Sequence, residues 1–196
     1  TGLVVLSNGS QSAVGNMDAE FRHFSTWKRV ADESEQGRIA LETTARGVCT
    51  PQRLLDLIEN YTLYQKRGDG LQKITAKNHQ YLGVENVLDA LHHLHENPGK
   101  LGVFWHTQGS GKSFSMVFFT QKVLRRVGGN FTFVIVTDRK DLDDQIYKTF
   151  ARCGVVTEGE NQARAQSGEH LKQLLMEDHR YVFTLIQKFN TRDGTP

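Results

Sequence analysis

The residues best suited to chemistry lie together in one run, His106-Thr107-Gln108-Gly109-Ser110-Gly111-Lys112-Ser113. Two glycines one residue apart let the backbone curl so that successive N–H groups point into one concavity. A lysine and a hydroxyl follow at once. An apolar run, Leu101 to Trp105, precedes the bend, and helical spacing from Lys112 to Arg126 succeeds it. A strand, a glycine bend and a helix start together make an anion site, because free amides and the positive end of the helix dipole converge there. The pattern is that of a Walker A loop: the backbone from Thr107 through Gln108, Gly109 and Ser110 to Gly111 cradles phosphates, Lys112 reaches the β- and γ-phosphates, and Ser113 completes the coordination of Mg²⁺. Lys112 is therefore the candidate catalytic residue. His106 departs from the pattern by standing where its first glycine would be.

The elements that must position this loop follow from the periodicity. From Leu101 the sequence alternates short apolar runs with amphipathic ones: strand 101–105, helix 112–126, strand 131–136, helix 141–152, a helix over 168–178 and strand 181–186. That alternation implies crossover units and a mostly parallel sheet, so the fold class is α/β. Upstream, Thr50-Pro51 predicts a capped helix with Leu54, Ile58, Tyr61 and Tyr64 or Gln65 on one face, ending before Gly68-Asp69-Gly70. A second helix is expected from Asn78 to Asn97, stopped by Pro98-Gly99.

Residues 1–30 read as a hairpin with a two-residue Asn8-Gly9 turn, then a helical stripe of Phe21, Phe24 and Trp27. Residues 31–50 are polar and weakly periodic, as linkers are. The predicted division is 1–30 as the edge of another domain, 31–75 as linker and helix, and 76–196 as the start of a phosphate-loop domain. Both ends of the sequence suggest a segment cut from something longer.

Composition excludes several function classes. With 24 Lys+Arg against 22 Asp+Glu, the net charge of +2 rules out a polybasic binder, so any nucleic-acid contact must come from local geometry. Cys49 and Cys153 form no C-x-x-C pair, which points to a reducing cytoplasm and away from a zinc ribbon. No run is long enough to span a bilayer, so no membrane partner is expected. His92, His93 and His95 lack a completing carboxylate or cysteine and read as a solvated helix end. Leu174 to His179 extends a helix and so is not an acidic box ending a strand.

The segment Trp105 to Ser113 resembles the first helicase motif of the R subunit of type I restriction-modification enzymes, members of helicase superfamily 2. The resemblance extends to Lys77-Asn78-His79-Gln80-Tyr81, to Val136-Thr137-Asp138-Arg139-Lys140-Asp141-Leu142, to Thr184-Leu185-Ile186-Gln187-Lys188-Phe189, and to Leu3 to Gly9, similar to the last strands of that family's endonuclease domain. It implies a RecA-like P-loop NTPase domain that binds ATP and Mg²⁺, translocates double-stranded DNA and works with methyltransferase and specificity subunits.

By the same resemblance Gln80 is the adenine reader; as a residue alone it also fits a solvent-facing helix start. Lys77 fits a phosphate contact or a solvated charge, and Tyr81 a stacking ring or the core. Thr137, Arg139 and Lys140 at a helix start form a phosphate-binding patch, which in the family grips the DNA backbone without reading sequence. Arg139 equally fits a surface ion pair, and Asp138 and Asp141 suit helix capping. Gln187 and Lys188 would end a strand on the same sheet edge.

The acidic pair, the arginine finger and the nuclease's Glu-x-Lys that such an enzyme needs are not identifiable, and no Glu-x-Lys occurs. The complete protein is thus expected to be an ATP-dependent type I site-specific deoxyribonuclease. The chain alone is expected to bind nucleotide weakly, without useful hydrolysis or DNA cleavage. A small-molecule phosphotransferase would need an arginine-rich lid, and residues 155–170 hold only Arg164. A non-catalytic docking module is the remaining alternative.

Overall fold

The computed structural model describes residues 2–32, 34, 35, 39–68, 70–96 and 99–190. The expectations at Asp69, Asn97, Pro98 and Asp193–Pro196 lie outside those residues. Strands β1 (Leu3–Ser7) and β2 (Ser12–Asn16) pair antiparallel, with Ser7 opposite Ser12. The turn is longer than the expected two residues: the Asn8 side-chain amide oxygen accepts from the N–H groups of Ser10 and Gln11, and Gly9 takes a φ of 91°. Phe21, Phe24 and Trp27 do not form the expected helical stripe. Only Phe21–His23 makes a short turn, Phe24 covers Gly15, and the following chain bridges β2 through Val14 and Ser25.

Part of the expected linker is folded. Helix α1 (Ala40–Thr44) runs into a π-helical turn over Ala45–Cys49, with Thr43, Thr44, Gly47 and Val48 buried. Gly47 is required there because a Cβ would lie 2.1 Å from Trp27 Nε1. Helix α2 (Pro51–Asn60) starts at the predicted proline, although the Thr50 hydroxyl makes no capping bond. It is shorter than predicted, and its buried side is Leu57 and Asn60, leaving Ile58 exposed. The chain then forms a hairpin of β3 (Thr62–Arg67) and β4 (Gly70–Thr75), in which Leu63 is buried and Tyr64 exposed. Gly68, at φ 58°, thus belongs to a hairpin turn and not to a helix stop.

Helix α3 (Asn78–His92) ends earlier than predicted, and α4 (Lys112–Arg126) has the predicted bounds. Leu101 to Trp105 is not a strand. Gly102 adopts a φ of 130°, and among the described residues no strand lies alongside to pair with it; a strand lacking a partner leaves its backbone groups unbonded. Strand β5 (Phe133–Thr137), helix α5 (Lys140–Arg152), the short α6 (Glu160–Ala163), α7 (Gly168–Met176) and β6 (Tyr181–Leu185) complete the order. β5 and β6 are parallel, Phe133 opposite Tyr181. The class is mixed α/β; among the described residues the strands form three two-stranded sheets, two of them antiparallel, with β5 and β6 as the parallel pair.

One apolar core draws on residues throughout the sequence, including Val14, Trp27, Val48, Tyr61, Val84, Phe118 and Phe150. Tyr61 lies 4.5 Å from Tyr81 and 5.7 Å from Phe118 between ring centroids, so the turn after α2 is wedged between α3 and α4. Phe150 packs edge-on to Tyr181 and Phe183, seating α5 on the parallel pair.

Candidate functional site

The glycine bend lies between α3 and α4 and has the geometry of an anion cradle. Gly109 and Gly111 take φ values of 78° and 89°, a region that side chains with a Cβ rarely enter. The Phe114 N–H already donates to the Gly111 carbonyl at 3.0 Å, but the first two amides of α4 have no preceding turn to bond, which leaves N–H donors at the helix start. The Lys112 amine folds back over the bend and donates to the carbonyl oxygens of His106 at 2.7 Å and Thr107 at 3.0 Å. The hydroxyl oxygens of Ser110 and Ser115 are buried without a hydrogen-bond partner. Ser113 is half-buried at the first turn, and Thr107 and Gln108 are exposed. Exposed glycine backbone, a cation that can swing by side-chain torsions alone, and an orphaned buried hydroxyl suit a phosphate chain with an attendant divalent cation.

The first turn of α3 holds this bend in place. Gln80, 3% exposed, accepts from the Lys77 N–H at 2.9 Å and donates from Nε2 to the Gly111 carbonyl at 2.9 Å. A Cβ on Gly111 would lie 2.8 Å from that nitrogen, a second reason for glycine there. His79 Nε2 lies 3.1 Å from the Ser110 carbonyl oxygen, which can only accept, so that nitrogen carries the hydrogen. Asn78 accepts from the N–H groups of Lys28 and Arg29 and donates to the Arg29 carbonyl at 2.8 Å. Three consecutive side chains thus tie α3 to the amino-terminal segment and to the bend. A cavity of about 220 Å³ opens beside them, lined among others by His23, Lys73, Lys77, Gln80, Gly111 and Phe114.

The second group of predicted residues divides. Thr137 is 6% exposed, and its hydroxyl donates to Asp143 and to the Thr184 carbonyl at 3.5 Å. Arg139 precedes α5 with a highly exposed side chain, 3.8 Å from Asp138, and Lys140 is exposed at the helix start. Gln187 donates to the Asp138 carbonyl at 2.9 Å, lacing the end of β6 to the end of β5. Arg139, Lys140 and Gln187 therefore share one edge. Neither Asp138 nor Asp141 caps α5 through a side-chain bond, though Asp141 lies in its acidic first turn. The Lys188 amine turns to the Ala165 carbonyl.

A buried ion cluster beneath α4 was not legible in the sequence. The Lys122 amine lies 2.8 Å from Asp56 and 2.6 Å from Glu85, and 4.7 Å from the Tyr61 ring centroid. Burial opposes ionisation of Asp56, yet hydrogen bonds from Lys122 and Asn60 hold its carboxyl below the usual range. Burial, with the Glu85 charge next, pushes the Tyr61 hydroxyl well above the usual phenol range. The only early sign was helical placement of a lysine within an apolar face. Among the described residues no group of three or more His, Cys, Asp or Glu could hold a metal, and no helix is long and apolar enough to cross a membrane.

A family model described as SWI2/SNF2 ATPase matches residues 79–196. Along 95% of its length the chain is 35% identical to the type I restriction enzyme HindI endonuclease subunit of Haemophilus influenzae, covering 18% of that protein. It is 25% identical, over 97% of its length, to the putative MjaIXP endonuclease subunit of Methanocaldococcus jannaschii, covering 20% of it. With the SsaAORF53P endonuclease subunit of Staphylococcus saprophyticus it shares 26% identity over 96% of its length and 19% of that protein. The chain thus spans about a fifth of the length of these curated relatives.

Proposed function

The chain belongs to the SWI2/SNF2 ATPase family, and from that premise we propose that the bend at 107–113 is the Walker A loop of a RecA-like motor domain that binds ATP with Mg²⁺. The observation that carries this reading is the pair of left-handed glycines, Gly109 and Gly111, opening α4 with Lys112 alongside. In this reading the amides from Thr107 to Gly111 hold phosphate oxygens, and Lys112 leaves the carbonyls of His106 and Thr107 for the β- and γ-phosphates. Ser113 would hold the Mg²⁺, which would supply charge neutralisation on the phosphate chain. Gln80 keeps one amide hydrogen and one lone pair for the adenine edge.

Likeness to the endonuclease subunits supports a larger proposal for the complete protein: ATP-driven translocation and cleavage of double-stranded DNA, in the cytoplasm, with methyltransferase and specificity subunits. Arg139, Lys140 and Gln187 would touch the DNA backbone. Residues 1–30 would edge the endonuclease domain, 31–75 would join it to the motor, and 76–196 would begin the motor domain.

The test is calorimetric titration of ATP–Mg into the protein and its Lys112→Ala variant. Loss of at least about tenfold in affinity is expected, since one charge-assisted contact to phosphate disappears. Equal binding by the two proteins would remove the loop assignment.

A further inference from the structure

His106 stands at the first glycine position of the loop pattern, and the structure gives its ring contacts that glycine has no atoms to make. Its centroid lies 4.7 Å from that of His79, with the planes at 90°, and 4.3 Å from that of Phe104, at 71°. Edge-to-face rings attract beyond the area they bury. Phe104 itself lies over Gly83 of α3, where a Cβ would come within 2.2 Å of the ring.

The bend is therefore fastened to α3 at both ends. Ser110 and Gly111 are held through His79 and Gln80, and the beginning is held through His106 and Phe104. The His106 carbonyl is also an acceptor for the Lys112 amine, so displacement of this residue moves the lysine's anchor.

We propose that His106 is a positioning residue for the phosphate loop, its ring held between Phe104 and His79 so that the loop is preset against α3 before nucleotide arrives. The proposal rests on the nucleotide reading above. It also assigns a role to the residue that departs from the general pattern. A ring that merely fills space would, when lost, weaken every ligand of the site alike; a ring that presets the loop matters in proportion to the phosphates the loop holds.

The test compares ATP and AMP binding by calorimetry, with competition for the weaker ligand, across the full chain and its variants. For His106→Gly, ATP affinity is expected to fall about tenfold and AMP affinity less than about twofold, given two lost ring contacts. His106→Phe, which keeps a ring edge, is expected to restore ATP affinity to within about twofold. Parental ATP binding by His106→Gly, or equal losses for ATP and AMP, overturns the proposal. Should His106→Gly not fold, His79→Gln carries the same criterion, because it keeps an N–H for Ser110 but removes the facing ring. A parent that binds no ATP, or binds it independently of Lys112, fails the nucleotide reading itself. Lys112-dependent binding that is indifferent to His106 fails this inference alone.

Discussion

The Gln80 carboxamide spans the 2.9 Å gap to the Gly111 carbonyl while its own oxygen receives the Lys77 amide, so one side chain joins the start of α3 to the start of α4. Both helices open on the same small region, and the bend between them inherits its shape from this strut. Replacing Gln80 by glutamate keeps the acceptor and deletes the donor. The Gly111 carbonyl would then face a carboxylate, at a cost of about 2 kcal/mol. Thermal melts should show the loss. Affinities for ATP and GTP should both fall, ATP further, because the second amide hydrogen also serves adenine; a loss confined to ATP would leave the strut without energetic weight.

Lys122→Met removes the amine that three helices share. Asp56 and Glu85 would be left facing each other with no cation between them. Breaking a fully buried ion pair costs roughly 3–5 kcal/mol, and because Glu85 is partly exposed we expect about 2–4 kcal/mol here. Urea unfolding midpoints measure it. A triple variant that also neutralises Asp56 and Glu85 should recover much of the loss, since the penalty comes from stranded charge.

Gly83→Ala sets two effects against each other. Alanine favours a helix over glycine by about 1 kcal/mol. Its Cβ would nevertheless lie 2.2 Å from Phe104, which must leave its seat on α3. A net destabilisation of about 1–3 kcal/mol is expected, in the range of overpacked cores. In a Phe104→Ala background the sign should reverse, and the four-protein cycle in urea checks both halves.

His179 bridges Glu177 at 2.8 Å and Glu158 at 2.9 Å. The hydrogen bond that its ring donates to Glu177, then that to Glu158, raises its pKa above the ordinary histidine value. A folded-state pKa above the unfolded one contributes stability fully at pH below the unfolded value, and that contribution disappears as pH rises through the folded value. The melting temperature of the parent should exceed that of His179→Gln at mildly acid pH, and the two curves should converge as pH becomes alkaline. Parallel curves across that window would mean that the cluster carries no proton linkage.

The sequence by itself determined the residue types and the local frame of the bend. Glycines at 109 and 111, a lysine and serine behind them, and an uninterrupted amphipathic run to Arg126 are local signals, and α4 begins and ends where they put it. The β5 and β6 strands and α5 were legible for the same reason, since apolar period and helix breakers act within a few residues. Tertiary structure decided what depends on a partner. The apolar stretch before the bend has no neighbouring strand among the described residues, so its backbone stays irregular and Phe104 anchors it by packing on Gly83. The residues after α2 could serve a helix or a strand, and burial of Leu63 with exposure of Tyr64 selected the hairpin. Thr137 lies on a strand whose two faces have opposite fates, and the face given to its hydroxyl turned it away from the surface. Spacing along a chain records which side chains can share a face, but whether that face meets protein or water is fixed only when distant segments close upon it.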